Sequence, residues 1–153
     1  LQSNPIDIKK FFSVLSLKYN IMAKQFSFGT ELVPMRNTEY ERTIMAVDNE
    51  AFFDISEKYF LKAALAYTHN LFDDAVEFSK QSDHIEARYI AIFSKYLSAR
   101  RGTEYGQMST NEERELKQML DTARNSDDAL YERVKQENDH NRKIIEIIEG
   151  YEI

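Results

Sequence analysis

Between residues 110 and 151, Leu116, Leu120, Ala123, Asp127, Leu130, Val134, Glu137, Asn141, Ile144, Ile148 and Tyr151 follow one another in alternating steps of four and three. That is a heptad, and an α-helix keeping this register presents one seam to a partner. The seam is apolar over 116–123 and 144–151 and polar between, where Asp127, Glu137 and Asn141 hold core-type positions. Either the helix is exposed at mid-length and grips neighbours at its two ends, or buried polar groups there specify one partner and one alignment. In both cases the cluster Ile144, Ile145, Ile147 and Ile148 is too apolar to stay bare and needs a surface from this chain or another. The interrupted seam favours two separate docking patches over a continuous zipper.

The rest of the chain also reads as helical. With 4 Gly and 2 Pro in 153 residues, breakers are few and long helices are expected. The hydrophobic share of 42% suffices for a core, and the aromatics are all Phe and Tyr. Zero Cys excludes disulfides, thiolate metal sites and cysteine nucleophiles, and fits a reducing compartment such as the cytoplasm. No apolar run approaches the ~18–20 residues of a membrane span, and residues 1–10 do not read as a signal peptide.

Net charge is −6 and uneven. Residues 111–153 hold 12 acidic and 7 basic side chains, against 14 and 13 in the remainder. Over 80–101 the balance reverses, with Lys80, Arg88, Lys95, Arg100 and Arg101 facing Asp83 and Glu86. The chain has no broad polyanion-binding face, so contact with RNA would be local or indirect.

In chain order, Asn4-Pro5 is a helix start, and Ile8, Phe11, Phe12 and Leu15 continue one apolar face toward Tyr19 and Met22. Gly29 and Pro34 mark a connection over 26–37. Thr38 to Glu41 reads as a capping box for a short helix through Ile44 and Met45, with a break at Asp48-Asn49. A strong helix is expected from Glu50 to about His69, apolar over more than half its circumference and therefore central. Asn70 is expected to cap a helix over 71–80, with Asp73 and Asp74 in its first turn. Asp83 to Glu86 reads as a second capping box, opening a helix to about Ser98 whose inner face is Tyr89, Ile90, Phe93 and Leu97. Arg100, Arg101 and Gly102 form a helix end, residues 102–110 a linker, and Thr110 to Glu113 a third capping box. Residues 63–78 resemble half of a tetratricopeptide unit, but a single copy reads as an ordinary helical hairpin.

Catalytic apparatus is not evident. His69 and His84 read as solvated. Glu137 and His140 make the only Glu-x-x-His, where di-iron bundles need two such units and further glutamates. No glycine-rich loop precedes a helix, and no serine sits in a nucleophile elbow. The reading is a chain without enzymatic activity, cofactor or metal.

Several stretches resemble the nidovirus replicase cofactors, non-structural proteins seven and eight. Ser13-Val14-Leu15 is similar to the first-helix core of the smaller cofactor. Residues 44–52, Ile-Met-Ala-Val-Asp-Asn-Glu-Ala-Phe, resemble the end of its second helix and the start of its third. Phe78-Ser79-Lys80-Gln81 followed by Ser82 looks like a cleavage site for a torovirus-type main protease, and Leu1-Gln2-Ser3 is similar in kind. Tyr89 to Phe93 and residues 120–126 resemble the amino-terminal helices of the larger cofactor. The resemblance implies an accessory subunit of a viral RNA-dependent RNA polymerase in the host cytoplasm. It covers most of the chain thinly, and the larger cofactor's carboxyl-terminal head has no counterpart. In the family the long helix is basic and contacts RNA, whereas residues 111–153 here are acidic.

The expectation is thus an all-α fold, a compact bundle of about five helices over 1–101, a linker over 102–110, and a long heptad-patterned helix over 111–153 that packs back or projects as an arm. Its function would be helix-to-helix association, in homo- or hetero-oligomers, through Leu116, Leu120, Leu130, Val134, Ile144 and Ile148. Two other expectations compete: weak nucleic-acid binding through Lys95, Arg100 and Arg101, and an acidic regulatory or inhibitory protein of a phage or bacterium.

Overall fold

The computed structural model describes residues 14–22, 38–100 and 108–152. Among them are eight helices and no strand, so the all-α expectation holds. The Asn4-Pro5 helix start and the 26–37 connection lie outside the described residues, as does most of the 102–110 linker.

Helix α1 is described over 14–22. Val14 and Ile21 are buried, Leu17 and Met22 are partly buried, and Leu15 and Tyr19 point outward from the opposite face. An ion pair from Lys18 to Glu57 ties α1 to the third helix. Helix α2 (Thr38–Asn49) buries Tyr40 and Val47, seven residues apart and so on one face. Helix α3 (Ile55–Thr68) starts five residues later than its apolar pattern suggests. The Asp54 side chain accepts from the Glu57 amide at 2.7 Å and caps it there. Every residue from Phe60 to Thr68 is buried, as expected of a helix covered on all sides.

Lys62 lies within that buried run. Its ammonium meets Asp48 at 2.8 Å and sits 4.3 Å and 5.0 Å from the ring centroids of Tyr59 and Phe78. One cation thereby joins α2 and α3 to helix α4 (Phe72–Ser79). Asn70 is not the cap of α4. It adopts a left-handed φ of 64°, which its short polar side chain tolerates, and this reverses the chain between α3 and α4. Leu71 takes the N-cap position without a side-chain bond.

Helix α5 (Ile85–Arg100) packs on α3 and α4 and on two of the helices that follow. The Asp83 capping box does not form. Asp83 instead exchanges two hydrogen bonds with Ser56, its amide donating at 2.9 Å, which pins the α4–α5 turn to the first turn of α3. The inner face of α5 is wider than expected, because Ala87, Ile92, Ser94 and Tyr96 are buried beside Tyr89, Ile90 and Phe93. Tyr67 lies between Phe72 and Phe93, at centroid distances of 6.0 Å and 6.3 Å. Each such aromatic contributes ~1.5–3 kcal/mol by leaving water.

The heptad run is not one long helix. It is divided into α6 (Thr110–Ser126), α7 (Asp128–Glu137) and α8 (Asp139–Glu149). One polar seam residue, Asp127, is itself a division and another, Glu137, ends α7 just before the second, and the physical reason is capping. Asp127 is extended (φ −160°, ψ 93°) and its carboxylate accepts from the Leu130 amide at 3.0 Å. Asn138 is extended (φ −160°, ψ 168°) and accepts from the Asn141 amide at 2.8 Å. The capping box of α6 sits one residue earlier than expected, between Ser109 and Glu112, with both bonds at 3.1 Å. Helices α6 and α8 fold back on α5, with α7 packed against both, and the apolar residues of all three join the same hydrophobic cluster as those of α1 to α5. Lys117 donates to the Tyr151 carbonyl at 2.5 Å, closing the end of α8 onto α6.

Candidate docking groove

The six residues expected to bind a partner are all buried within this chain. Leu116, Leu120, Leu130, Val134, Ile144 and Ile148 line the inner faces of α6, α7 and α8. Asn141 is buried with them, and its side-chain amide donates to the Val134 carbonyl at 3.2 Å. The seam is thus filled by the molecule itself.

The basic residues are not gathered either. Lys95 pairs with Glu115, while Arg100 donates to the Tyr96 hydroxyl and lies 5.2 Å from that ring's centroid. Five residues apart on one helix, Lys95 and Arg100 point to different sides. Arg101 lies outside the described residues.

Gln81 and Ser82 occupy the turn between α4 and α5. The Gln81 amide donates to the Phe78 carbonyl at 3.1 Å and the Ser82 amide to the Ser79 carbonyl at 3.2 Å. Gln81 is exposed, but Phe78 is half-buried with its ring 6.2 Å from that of Tyr59.

The histidines differ from expectation. His69 is buried 5.0 Å from Tyr40, and His84 stacks on Phe60 at 4.6 Å with nearly parallel planes. Tyr40 of α2 and Phe60 of α3 thus cover His69 at the end of α3 and partly cover His84 at the start of α5. Glu137 and His140 fall on separate helices across the Asn138 break, so the Glu-x-x-His spacing does not define one helical face. Desolvation, with Lys143 adding to it, holds the His140 imidazole below its usual 6.5. Among the described residues no cluster of three His, Asp or Glu could hold a metal ion, and no helix is long and apolar enough to cross a membrane.

One concave surface does stand out. Lys95 with Glu115, and Arg88 with Ser126 (2.7 Å), show that α5 and α6 run antiparallel. Between them lies an open groove of about 320 Å³. Ala87, Arg88, Ala91 and Ile92 form one wall, and Glu115, Gln118, Met119 and Thr122 the other. Ser79, Lys80 and Ser82 of the α4–α5 turn close one end. Positions 115, 118, 119 and 122 repeat at helical spacing over two turns, a span of about 10 Å. Ala87 and Ala91 keep the wall low, Ile92 and Met119 make the floor apolar, and charge is confined to the ends.

Sequence reasoning missed this groove because it lies on the face of α6 next to the heptad seam. Its walls come from segments that no motif links. The available signal was Ala87 and Ala91, four apart and flanked by Arg88, which reads equally well as core filler.

Large apolar side chains are also exposed at the α2–α3 connection, where Met45 and Ile55 are 62% and 73% accessible. Comparison of the chain with protein-family models, curated proteins and solved structures finds no match.

Proposed function

We propose that this chain is a non-enzymatic helical interaction subunit that receives a partner helix in the groove between α5 and α6. The observation that carries this reading is the pair of helical walls, that of α6 two turns long, with an apolar floor, the form in which one helix accepts the apolar face of another. The heptad residues are already committed to the chain's own core, so association uses the neighbouring face.

The narrower reading is an accessory cofactor of a viral RNA-dependent RNA polymerase complex, acting in the host cytoplasm. It rests on the resemblance to the nidovirus cofactors. Residues 44–52 resemble a helix end followed by a helix start; α2 does end within them, at Asn49, whereas α3 begins beyond them, at Ile55. RNA contact is indirect in this reading, because Lys95 and Arg100 are engaged within the chain.

Co-purification and primer extension with a torovirus-type polymerase test both levels. The chain is expected to co-elute with the polymerase and raise its processivity, and Ala91→Glu, which fills the groove, is expected to abolish both. Co-elution unaffected by Ala91→Glu would exclude the groove. Absence of co-elution and stimulation would exclude the polymerase reading.

A further inference from the structure

Resting on the docking reading above, we infer that the helix taken by the α5–α6 groove is acidic, and that its carboxylates pair with Lys80 and Arg88. The groove has two ends of different electrical character. At the far end Glu115 is compensated by its ion pair with Lys95. At the end closed by the α4–α5 turn, Lys80 and Arg88 are both exposed. The Arg88 guanidinium donates to a neutral hydroxyl, Ser126 Oγ, at 2.7 Å. Lys80 meets Glu77 at 3.2 Å, but both side chains are more than 60% accessible, and such a pair holds little free energy against a better-placed anion.

Other charges near this end are Asp83 of the α4–α5 turn, engaged with Ser56, and those of the α6–α7 junction. There Arg124 meets Asp128 at 3.5 Å, and Asp127 is occupied as the cap of α7. The chain as a whole carries −6, which would repel an acidic partner at long range. That field is screened beyond ~8 Å at physiological salt, so the two cations at the mouth decide the preference on contact. The partly exposed Ala91 and Met119, lying over the buried Ile92, accommodate leucine-sized side chains between the charged ends. A basic helix would meet the same floor with two repulsions in place of two attractions.

The test uses two designed helical peptides of about fourteen residues, long enough to hold a helix. They share one leucine face and differ only in glutamate or lysine flanks. They are titrated to millimolar concentration into the isotope-labelled full chain at about 0.15 M salt. Expected are amide shifts at Ala87, Ala91, Ile92 and Met119, and roughly tenfold tighter binding of the glutamate peptide, the combined effect of two exposed pairs gained and two repulsions avoided. Lys80→Glu with Arg88→Glu, both at exposed positions, is expected to reverse that order. Equal binding of the two peptides overturns the acidic preference and leaves the docking reading standing. Failure of both peptides to shift groove residues overturns both readings.

Discussion

Asn141 reaches back across a helix break to Val134, its side-chain amide donating to a carbonyl seven residues earlier at 3.2 Å. Both residues are buried, and the Val134 carbonyl belongs to the last turn of α7, where intrahelical partners run out. Asn141→Ala therefore strands a buried carbonyl and should destabilise the fold by about 1–3 kcal/mol. Asn141→Asp replaces the donor with a buried carboxylate and should cost more at neutral pH than at acid pH. Urea unfolding of the two variants at two pH values checks both statements. An Asn141→Ala midpoint equal to that of the parent would remove the bond from the account.

Ile144 and Ile148 are buried within the chain, at 3% and 0% accessibility. Ile144→Asp with Ile148→Asp should abolish cooperative unfolding and not merely weaken association, because each places a charge in the core. Near-ultraviolet circular dichroism reports the outcome. A well-folded double variant with altered oligomeric state would return these residues to a surface role.

The pH dependence has a definite sign at His140. Its folded pKa is lowered by burial, so the neutral imidazole is the form the fold prefers. That contribution is complete above the unfolded pKa near 6.5 and is lost as pH falls toward the folded value. Stability should therefore decline on acidification below about pH 7, and less steeply in His140→Gln. Parallel slopes for parent and variant would refute this.

The bond between Gln81 and Ser82 should resist a torovirus-type main protease in the native chain. Proteases bind substrate extended, and here both amides are turned back onto Phe78 and Ser79. A free peptide spanning residues 76–86 should be cut much faster than the folded chain. Moderate urea should narrow the difference, since cleavage then follows local opening. Equal rates in the absence of urea would show that the turn opens freely.

The inward face of the last quarter was legible in the sequence. Leu116, Leu120, Ala123, Leu130, Val134, Ile144 and Ile148 are all buried, because heptad and plain helical periodicity place the same residues on one side. Its continuity was not legible. An Asp at a core-type position, such as Asp127, serves equally as a register device and as a cap, and only backbone dihedrals separate the two; the second cap, Asn138, lies off the seam beside Glu137. An acidic residue directly after Asp127 and after Asn138 was a usable cue, since carboxylates favour the first turn of a helix. The starts of α3 and α4 slipped for a related reason. Periodicity locates a helix's face more firmly than its end, and Asp54 and Asn70 act through φ, ψ and single hydrogen bonds. The groove depends on how α5 and α6 are set side by side, which neither segment encodes alone.

The position of α5 has a consequence for the order in which the molecule can be completed. It is the helix on which α3 and α4 close from one side and α6 and α8 from the other. During synthesis, the helices before it have no finished core until α5 has left the ribosome. Those after it, once made, find a surface already waiting. Assembly from the amino-terminal end is thus gated by a single segment, and a pause in translation once Arg100 has cleared the exit tunnel would fall where the first half can settle before the second arrives.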